Sequence, residues 1–149
     1  MDFIYNHCDT EFAGYTGEGT FKTDVMVPEY QSKGELNEII EECKSKYDAH
    51  DMMIFASLGG CPFLGPHADP QNVLIRCLEG NVDYLLFGDE EQLDEATTSV
   101  TLNAGETLYI PVEKWHGAAS LVPRAVLSMA VRPLGVEEVT FHWDNLVTP

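Results

Sequence analysis

Two imidazoles and one carboxylate in this chain have the types and the spacing of ligands for a single metal ion. His67 and Asp69 stand two residues apart in the segment 65–69, at the edge of a β-rich run. Alternate residues of a strand project from the same face, so these two side chains can share one ion. His116 is the natural third ligand, because it follows the run 108–111 at another predicted strand end.

Two histidines and one carboxylate occupy one face of an octahedron and leave three positions open, which suits non-haem Fe(II) and its reactions with O₂. Taken alone, His67 with Asp69 is a weak signal, because a histidine and an aspartate close together more often form a hydrogen bond or a loop cap. His116 by itself is equally weak. The prediction of a metal site therefore depends on the surrounding sequence.

The elements that must position these ligands are mainly β-strands. After Asp51 the chain consists of short β-rich runs separated by Gly, Pro, Asp and Asn, a pattern typical of an all-β sandwich or barrel. The segments 79–81 and 103–105 predict hairpin turns, and the acidic stretch 88–95 predicts an exposed loop. The predicted strands are 52–58, 73–78, 82–87, 99–102, 107–110 and 125–131.

One amphipathic helix is predicted before these strands, over residues 34–47. Leu36, Ile39, Ile40, Cys43 and Tyr47 recur there at three- and four-residue steps, with charged residues between them. The first 30 residues mix glycines with short apolar pieces, which indicates short strands and loops.

A length of 149 residues is that of one domain. We expect N-terminal strands and a helix over residues 1–51, a metal-binding core over 52–133 and a C-terminal extension over 134–149. The four cysteines lack Cys-x-x-Cys spacing, which argues against a zinc ribbon or a thioredoxin motif and favours reduced, buried thiols.

Charge and hydropathy limit the classes of partner. The chain has 25 acidic and 8 basic residues and a formal charge of −17, which argues against binding a nucleic-acid backbone. No apolar run reaches the roughly 18 residues of a membrane span, and the N-terminus lacks the basic-then-apolar order of a signal peptide. We therefore expect a cytoplasmic protein without nucleic-acid or membrane partners.

Three segments together resemble JmjC-type and cupin-like hydroxylases. Residues 105–116 have the spacing of the second cupin motif, in which a Gly, five residues, a Pro and a His follow in order. In segment 65–80 a Gly-Pro-His-x-Asp motif leads into an apolar strand that ends at Gly80, and segment 127–133 is similar to the closing strand of the same families. The resemblance covers about residues 52–133.

The resemblance implies a double-stranded β-helix, the cupin or jelly-roll fold, with His67, Asp69 and His116 as the metal ligands. It also implies an Fe(II)- and 2-oxoglutarate-dependent oxygenase, with 2-oxoglutarate as cosubstrate and O₂ as oxidant. In such hydroxylases the keto and C1 carboxylate oxygens of 2-oxoglutarate chelate the iron, and a cation binds the distal carboxylate.

The chain departs from the family pattern at that cation. JmjC-type members have a Lys or Arg just after the hairpin glycine, whereas Gly80 is followed by residues 81–84 of sequence Asn-Val-Asp-Tyr. Arg124, eight residues after His116, is the candidate replacement, because prolyl-hydroxylase-like members place an arginine near that position. Ser128 would share its strand face, and Arg132 is a second choice at the far end of the strand.

Alternatives remain open on the sequence alone. A cupin-type dioxygenase, isomerase or lyase would use the metal without 2-oxoglutarate, as the absent cation after Gly80 suggests, and a non-catalytic ligand-binding β-helix would use no metal. Tyr84 is read either as a hydrogen-bonding residue of the pocket or as packing. The expected substrate is a small molecule or a peptide side chain. An acidic surface could attract a basic group, but an ordinary solubilising role is the better explanation of the charge, which by itself chooses no substrate. A homodimer is compatible with the sequence.

Overall fold

The chain is described by a computed structural model, which covers residue 7 and residues 14–15, 25–57, 61–88 and 96–147. The helices are α1 (Glu35–Tyr47) and α2 (Trp143–Leu146), with 3₁₀ turns at Glu29–Gln31 and Val136–Glu138. The strands are β1 (Gly14–Tyr15), β2 (Val25–Pro28), β3 (His50–Ser57), β4 (Cys61–His67), β5 (Val73–Glu79), β6 (Asn81–Leu86), β7 (Thr98–Asn103), β8 (Thr107–Ile110), β9 (His116–Ser120), β10 (Arg124–Ala130) and β11 (Phe141–His142).

The strands form two facing sheets. The larger sheet has the order β1-β2-β3-β10-β5-β8-β11, and the smaller sheet has the order β4-β9-β6-β7. From β3 to β10, every strand except β7 lies in the opposite sheet from the strand before it. This alternation is the double-stranded β-helix that the resemblance implied, so the predicted fold class is confirmed.

The prediction of hairpins at 79–81 and 103–105 is wrong about which strands pair. Both segments turn the chain, with positive φ at Gly80 and Gly105, but each turn carries the chain from one sheet to the other. The hairpin is formed instead by β6 and β7, whose pairing runs from Asn81 with Asn103 to Leu86 with Thr98. The loop of that hairpin, predicted to be exposed, lies outside the described residues from 89 to 95.

Side chains between the two sheets form an interior core. Alternate residues of a strand point to the same face, and the alternation in β6 is regular, with Val82, Tyr84 and Leu86 buried between less buried neighbours. The same interior cluster also includes Val73, Ile75, Cys77, Leu102, Leu108, Ile110 and Val126. The metal-ligand candidates lie at one end of this interior.

Helix α1 covers the outer face of the larger sheet. Its buried residues Leu36, Ile40, Cys43 and Tyr47 have the predicted spacing, and they pack in one cluster with Leu127 of β10. The helix over residues 34–47 is therefore confirmed, with its first residue at 35. Within the described residues, neither helix is long and apolar enough to cross a membrane.

The segment after residue 133 packs onto the larger sheet. Strand β11 pairs in parallel with β8, and Thr140 and Thr107 exchange hydrogen bonds between backbone N–H groups and side-chain oxygens. Trp143 is buried in the interior cluster. At the other end of the chain, where short strands were predicted, β1 and β2 extend the larger sheet beyond β3.

Cys43 and Cys77 are buried free thiols, as predicted. Burial raises the pKa of the Cys77 thiol to about 11, so it stays protonated at neutral pH. Cys8 and the side chain of Cys61 lie outside the described residues.

At Gly80, the turn between β5 and β6 packs closely against the turn between β9 and β10. Its φ is +69°, and a Cβ there would overlap the carbonyl oxygen of Pro123, next to Arg124. Gly105 has a similar φ of +92°, but a Cβ there would meet no atom within 4 Å. The two glycines thus share the backbone strain and differ in the close contact.

We expect Gly80→Ala to destabilise the protein more than Gly105→Ala. Left-handed backbone alone costs about 1–2 kcal/mol for alanine, which both variants incur. The overlap with Pro123 adds about 1–3 kcal/mol for Gly80→Ala, the range for overpacking. Urea unfolding of both variants measures the difference in the free energy of unfolding. Equal values would show that the close contact between the two turns is not tight.

Candidate metal centre

The three candidate ligands meet where β4 and β9 pair. The two strands are antiparallel, and His67 at the end of β4 stands opposite His116 at the start of β9. Their rings have centroids 4.3 Å apart and are tilted by 57°. The sequence predicted that Asp69 lies on the same strand as His67. In the structure Asp69 lies two residues beyond the end of β4, in the following loop.

The ligand atoms of the three residues lie within 4.8 Å of one another. The Nε2 atom of His116 is 3.3 Å from Oδ2 of Asp69, and the Nε2 atom of His67 is 3.9 Å from the same oxygen. His116 is buried, whereas the side chains of His67 and Asp69 are about one-third exposed, at 34% and 31%. The predicted set is therefore brought together, with one side facing solvent.

Each imidazole is oriented by a backbone carbonyl two residues before it. Nδ1 of His67 is 2.9 Å from the oxygen of Gly65, and Nδ1 of His116 is 2.9 Å from the oxygen of Lys114. A proton on Nδ1 that is donated to a carbonyl leaves the Nε2 lone pair for a metal. Burial lowers the pKa of His116, and the neighbouring His67 lowers it further, so the ring is held in the neutral form that ligates.

The loop that carries Asp69 is joined to the loop that precedes β9. The backbone N–H of Glu113 donates to the carbonyl oxygen of Asp69 at 2.9 Å. The backbone N–H of Val112 donates to Oδ1 of Asn72 at 3.0 Å. These two bonds fix the carboxylate relative to His116, although the two residues are 47 positions apart in the chain.

The donor set fits a divalent transition metal. Two imidazole nitrogens and one carboxylate oxygen converge from one side, in the combination that non-haem Fe(II) prefers. A carbonyl orients each ring, as ligating histidines require. Within the described residues no other group of histidine, cysteine and acidic side chains has this arrangement.

A cavity of about 130 Å³ adjoins the three candidate ligands. Its remaining polar wall is formed by Asp51, Gln71, Tyr84 and Ser128. The apolar wall consists of Phe55, Val73, Ile75, Ala118, Met129 and Ala130. The cavity therefore opens beside the ligands and extends into the apolar space between the two sheets.

Of the two residues predicted to anchor the cosubstrate, one lines the cavity and the other does not. Arg124, Val126 and Ser128 share the inward face of β10, since Val126 belongs to the interior cluster and the pairing with β3 is regular along these residues. Ser128 lines the cavity. Arg124 is only 2% exposed and is not among the residues that line the cavity.

Arg132, predicted as a second choice of anchor, is not among the residues that line the cavity. Strand β10 ends at Ala130, and its register with β3 shifts between Ser128 and Ala130, so the alternation does not continue to residue 132. The guanidinium of Arg132 forms a salt bridge of 2.6 Å with Glu138 and donates to the carbonyl oxygen of Lys46. This exposed pair lowers the pKa of Glu138 to about 2.

Some residues in or beside the cavity were not among the predicted ligands and anchor residues, although Tyr84 was read as either a hydrogen-bonding residue of the pocket or packing. Val82 occupies the interior face just after Gly80, where the family pattern has its cation, and it is fully buried. Tyr84 follows on the same face and lines the cavity. The two-residue alternation from Val82 was the signal that placed Tyr84 inward. Asp51 lies near the start of β3 and Gln71 lies in the loop after β4, and the sequence carries no comparable signal for either residue.

No protein-family model matches the chain, and no curated protein matches it in sequence. Solved structures of the ribosomal oxygenase YcfD from Escherichia coli do match. YcfD in complex with cobalt and 2-oxoglutarate is 24% identical, with a TM-score of 0.59 over 83% of this chain and 36% of that chain. YcfD in complex with cobalt and succinic acid is 25% identical, with a TM-score of 0.58 over 84% and 36%.

The chain thus spans little more than a third of the YcfD chains that it matches. A cupin superfamily protein from Desulfitobacterium hafniense DCB-2 is matched over most of its length, with 11% identity and a TM-score of 0.52 over 78% of this chain and 84% of that chain. At these identities the likeness concerns the fold. The chain has the double-stranded β-helix fold of the cupin proteins.

Proposed function

We propose that this chain is an Fe(II)- and 2-oxoglutarate-dependent oxygenase, a hydroxylase of a small molecule or a peptide side chain. The observation that carries the proposal is the convergence of His67, Asp69 and His116 beside a cavity inside a double-stranded β-helix. YcfD, which has a similar fold, is a ribosomal oxygenase whose structure contains cobalt and 2-oxoglutarate. This likeness supports the class of reaction and does not extend to the substrate.

His67, Asp69 and His116 would hold Fe(II) from one side. Their carbonyl partners keep both Nε2 lone pairs available, and Asp69 would supply one negative charge. When bound, iron would supply the activation of O₂, coupled to the oxidative decarboxylation of 2-oxoglutarate. The part of the chain that the structure describes would supply the ligands and the shape of the site.

The apolar wall would keep water from the reacting centre. Phe55, Ile75 and Met129 lie on the wall together with the ligands. Excluding water strengthens electrostatic interactions in a site and prevents side reactions of oxidising species. The partial exposure of His67 and Asp69 leaves one side of the centre open for the substrate.

Arg124 and Ser128 are the proposed anchor of the distal carboxylate of 2-oxoglutarate. A guanidinium binds a carboxylate through two parallel hydrogen bonds, and a neighbouring hydroxyl adds a third. Arg124 lies on the same face of β10 as Ser128, which lines the cavity, so both point towards the interior. Burial of Arg124 to 2% exposure would strengthen its attraction for an anion.

A second candidate function is supported by Val82. An apolar side chain occupies the interior position where JmjC-type members place their cation. A cupin-type dioxygenase, isomerase or lyase would bind metal at the same three residues and would need no anion site there. A non-catalytic β-helix would bind no iron at all. Titration with iron and then 2-oxoglutarate separates these three alternatives.

The proposed substrate is small or is an exposed peptide side chain, and it carries a basic group. The formal charge of −17 would attract cations and repel nucleic acids. Asp51 and Asp69 both line the cavity, so its polar wall contributes carboxylates.

The first prediction concerns the metal. Anaerobic addition of Fe(II) and then 2-oxoglutarate to the wild-type protein should give the weak visible charge-transfer band of a chelated keto acid. His67→Ala should abolish the band, because one of three ligands is lost. His50→Ala is the matched control, since His50 is exposed and lies outside the cavity, and it should retain the band. A band of full intensity in His67→Ala would exclude His67 as a ligand.

The second prediction concerns the anchor. Arg124→Gln should retain Fe(II) binding and raise the Kd of 2-oxoglutarate roughly 10- to 100-fold, the range for losing a hydrogen bond to a charged group. Arg132→Gln should leave both constants unchanged, because Arg132 bonds to Glu138 away from the cavity. Thermal unfolding of Arg124→Gln verifies that the variant is folded. Unchanged affinity for 2-oxoglutarate in a folded Arg124→Gln variant would remove Arg124 from the role.

A further inference from the structure

The short segment that carries Asp69 lies between two strands and belongs to neither. Residues 68–72 follow the end of β4 at His67 and precede the start of β5 at Val73. All five are described, and none of them pairs with a strand. We call this segment the ligand loop. The position of the Asp69 carboxylate depends on the contacts that hold the loop from outside.

Three hydrogen bonds from other segments hold the ligand loop within the described part of the chain. The backbone N–H of Glu113 donates to the carbonyl oxygen of Asp69 at 2.9 Å. Asn72 accepts twice, through its carbonyl oxygen from the N–H of Val131 and through Oδ1 from the N–H of Val112, each at 3.0 Å. Two of the three bonds therefore end on Asn72, and one of them uses its side chain.

The side-chain oxygen of Asn72 joins two loops that are 40 positions apart in the chain. Its partner is a backbone N–H, which can only donate, so the bond requires an acceptor atom on residue 72. Asn72 is half-buried and is not among the residues that line the cavity. Its side chain therefore acts on the ligand loop and not on a molecule in the cavity.

The turn that carries the donor N–H groups is strained. The backbone N–H of Lys114 donates to the carbonyl oxygen of Pro111 at 3.3 Å, which closes a turn over residues 111–114. Glu113, the third residue of the turn, has a φ of +64°, a left-handed conformation that favours glycine. The N–H groups of Val112 and Glu113 both donate to the ligand loop from this turn. Backbone strain persists where the surrounding structure fixes it, and it is often found at functional sites.

A substitution can remove one bond of Asn72 and keep the other. The bond from Val131 uses the backbone carbonyl, so it is retained with any side chain at residue 72, and it attaches the loop to the segment just after β10. The bond from Val112 uses Oδ1 and is lost with the side chain. A variant at residue 72 therefore loosens the loop next to His116 while the loop stays attached to the larger sheet.

We propose that the side chain of Asn72 is a positioning residue for the metal centre. By binding the turn that precedes His116, it holds the Asp69 carboxylate where the two imidazoles converge. Groups that orient the ligands of a metal contribute to its affinity, because the site then needs less rearrangement on binding. This inference rests on the proposed function, since it concerns the metal site of that reaction. Asn72 acts through Asp69 and does not ligate the metal.

The test measures the Kd of Co(II), an air-stable probe of the site, by titration of the metal-free protein. Asn72→Leu removes the acceptor at a similar side-chain size and should raise this Kd roughly 10- to 100-fold, the range for losing a group that orients a metal ligand. Asn72→Asp keeps an acceptor oxygen and should bind Co(II) no more weakly than the wild type. Thermal unfolding without metal verifies that the variants are folded, and Asn72→Ala replaces Asn72→Leu if the latter does not fold.

A double-mutant cycle distinguishes the positioning of Asp69 from a general structural role. Asp69→Ala alone should weaken Co(II) binding, because one of three ligands is lost. Since the carboxylate is then absent, adding Asn72→Leu should leave the weakened Kd unchanged.

Asn103→Leu is the matched control. Asn103 pairs with Asn81, at the end of β6 away from the strand contact with His116, and its side chain bonds to that of Glu106. The same substitution there removes a side-chain hydrogen bond far from the ligand loop, so the Kd of Co(II) should stay at the wild-type value.

Unchanged Co(II) affinity in a folded Asn72→Leu variant would overturn the inference, as would an equal rise in Kd when Asp69 is already alanine. Weaker binding by Asn72→Asp would show that the acceptor oxygen is not the group that matters. A wild-type protein that binds neither Co(II) nor Fe(II) would refute the metal centre of the proposed function, and the role of Asn72 with it. The first three results leave the proposed function intact, so the two kinds of failure are distinguishable.

Discussion

The antiparallel pairing of β4 with β9 is the contact on which the candidate site depends. It places His67 opposite His116, and the loop after β4 then brings Asp69 to the same side. A slip of one residue would turn one imidazole to the opposite face of the sheet and separate the pair. The bonds between the 69–72 and 112–113 segments hold this register from outside the ladder.

The sequence predicted the strands that fill the core better than the strands that carry the ligands. β5 is rich in branched apolar residues, which favour a pleated and buried surface, and β10 is almost wholly buried. β4 contains Pro62, Gly65 and Pro66, and β9 consists mostly of small residues, so neither has the composition of a strand. Their ligands were found through spacing and resemblance, which do not depend on β-propensity.

The turn residues predicted where the chain bends, but not which sheet the next strand joins. Gly80 and Gly105 were recognised as turns, yet a change of sheet depends on partners far away in the sequence. The same limit applies to the two arginines of the predicted anchor. The two-residue period predicted that Arg124 and Ser128 share one face of the strand. The end of β10 at Ala130 and the salt bridge between Arg132 and Glu138 depend on tertiary contacts, which the sequence does not reveal.

The carbonyl contacts of the two histidines have a consequence for how the site can change. Each imidazole is aimed by an oxygen only two residues earlier, so its orientation is encoded within three consecutive residues. Where a ligating imidazole is instead oriented by a hydrogen bond to a carboxylate distant in sequence, that carboxylate must be retained as well. Here the orientation of each imidazole is a local property, so the sequence of the outer surface and of distant strands can change without turning either ring.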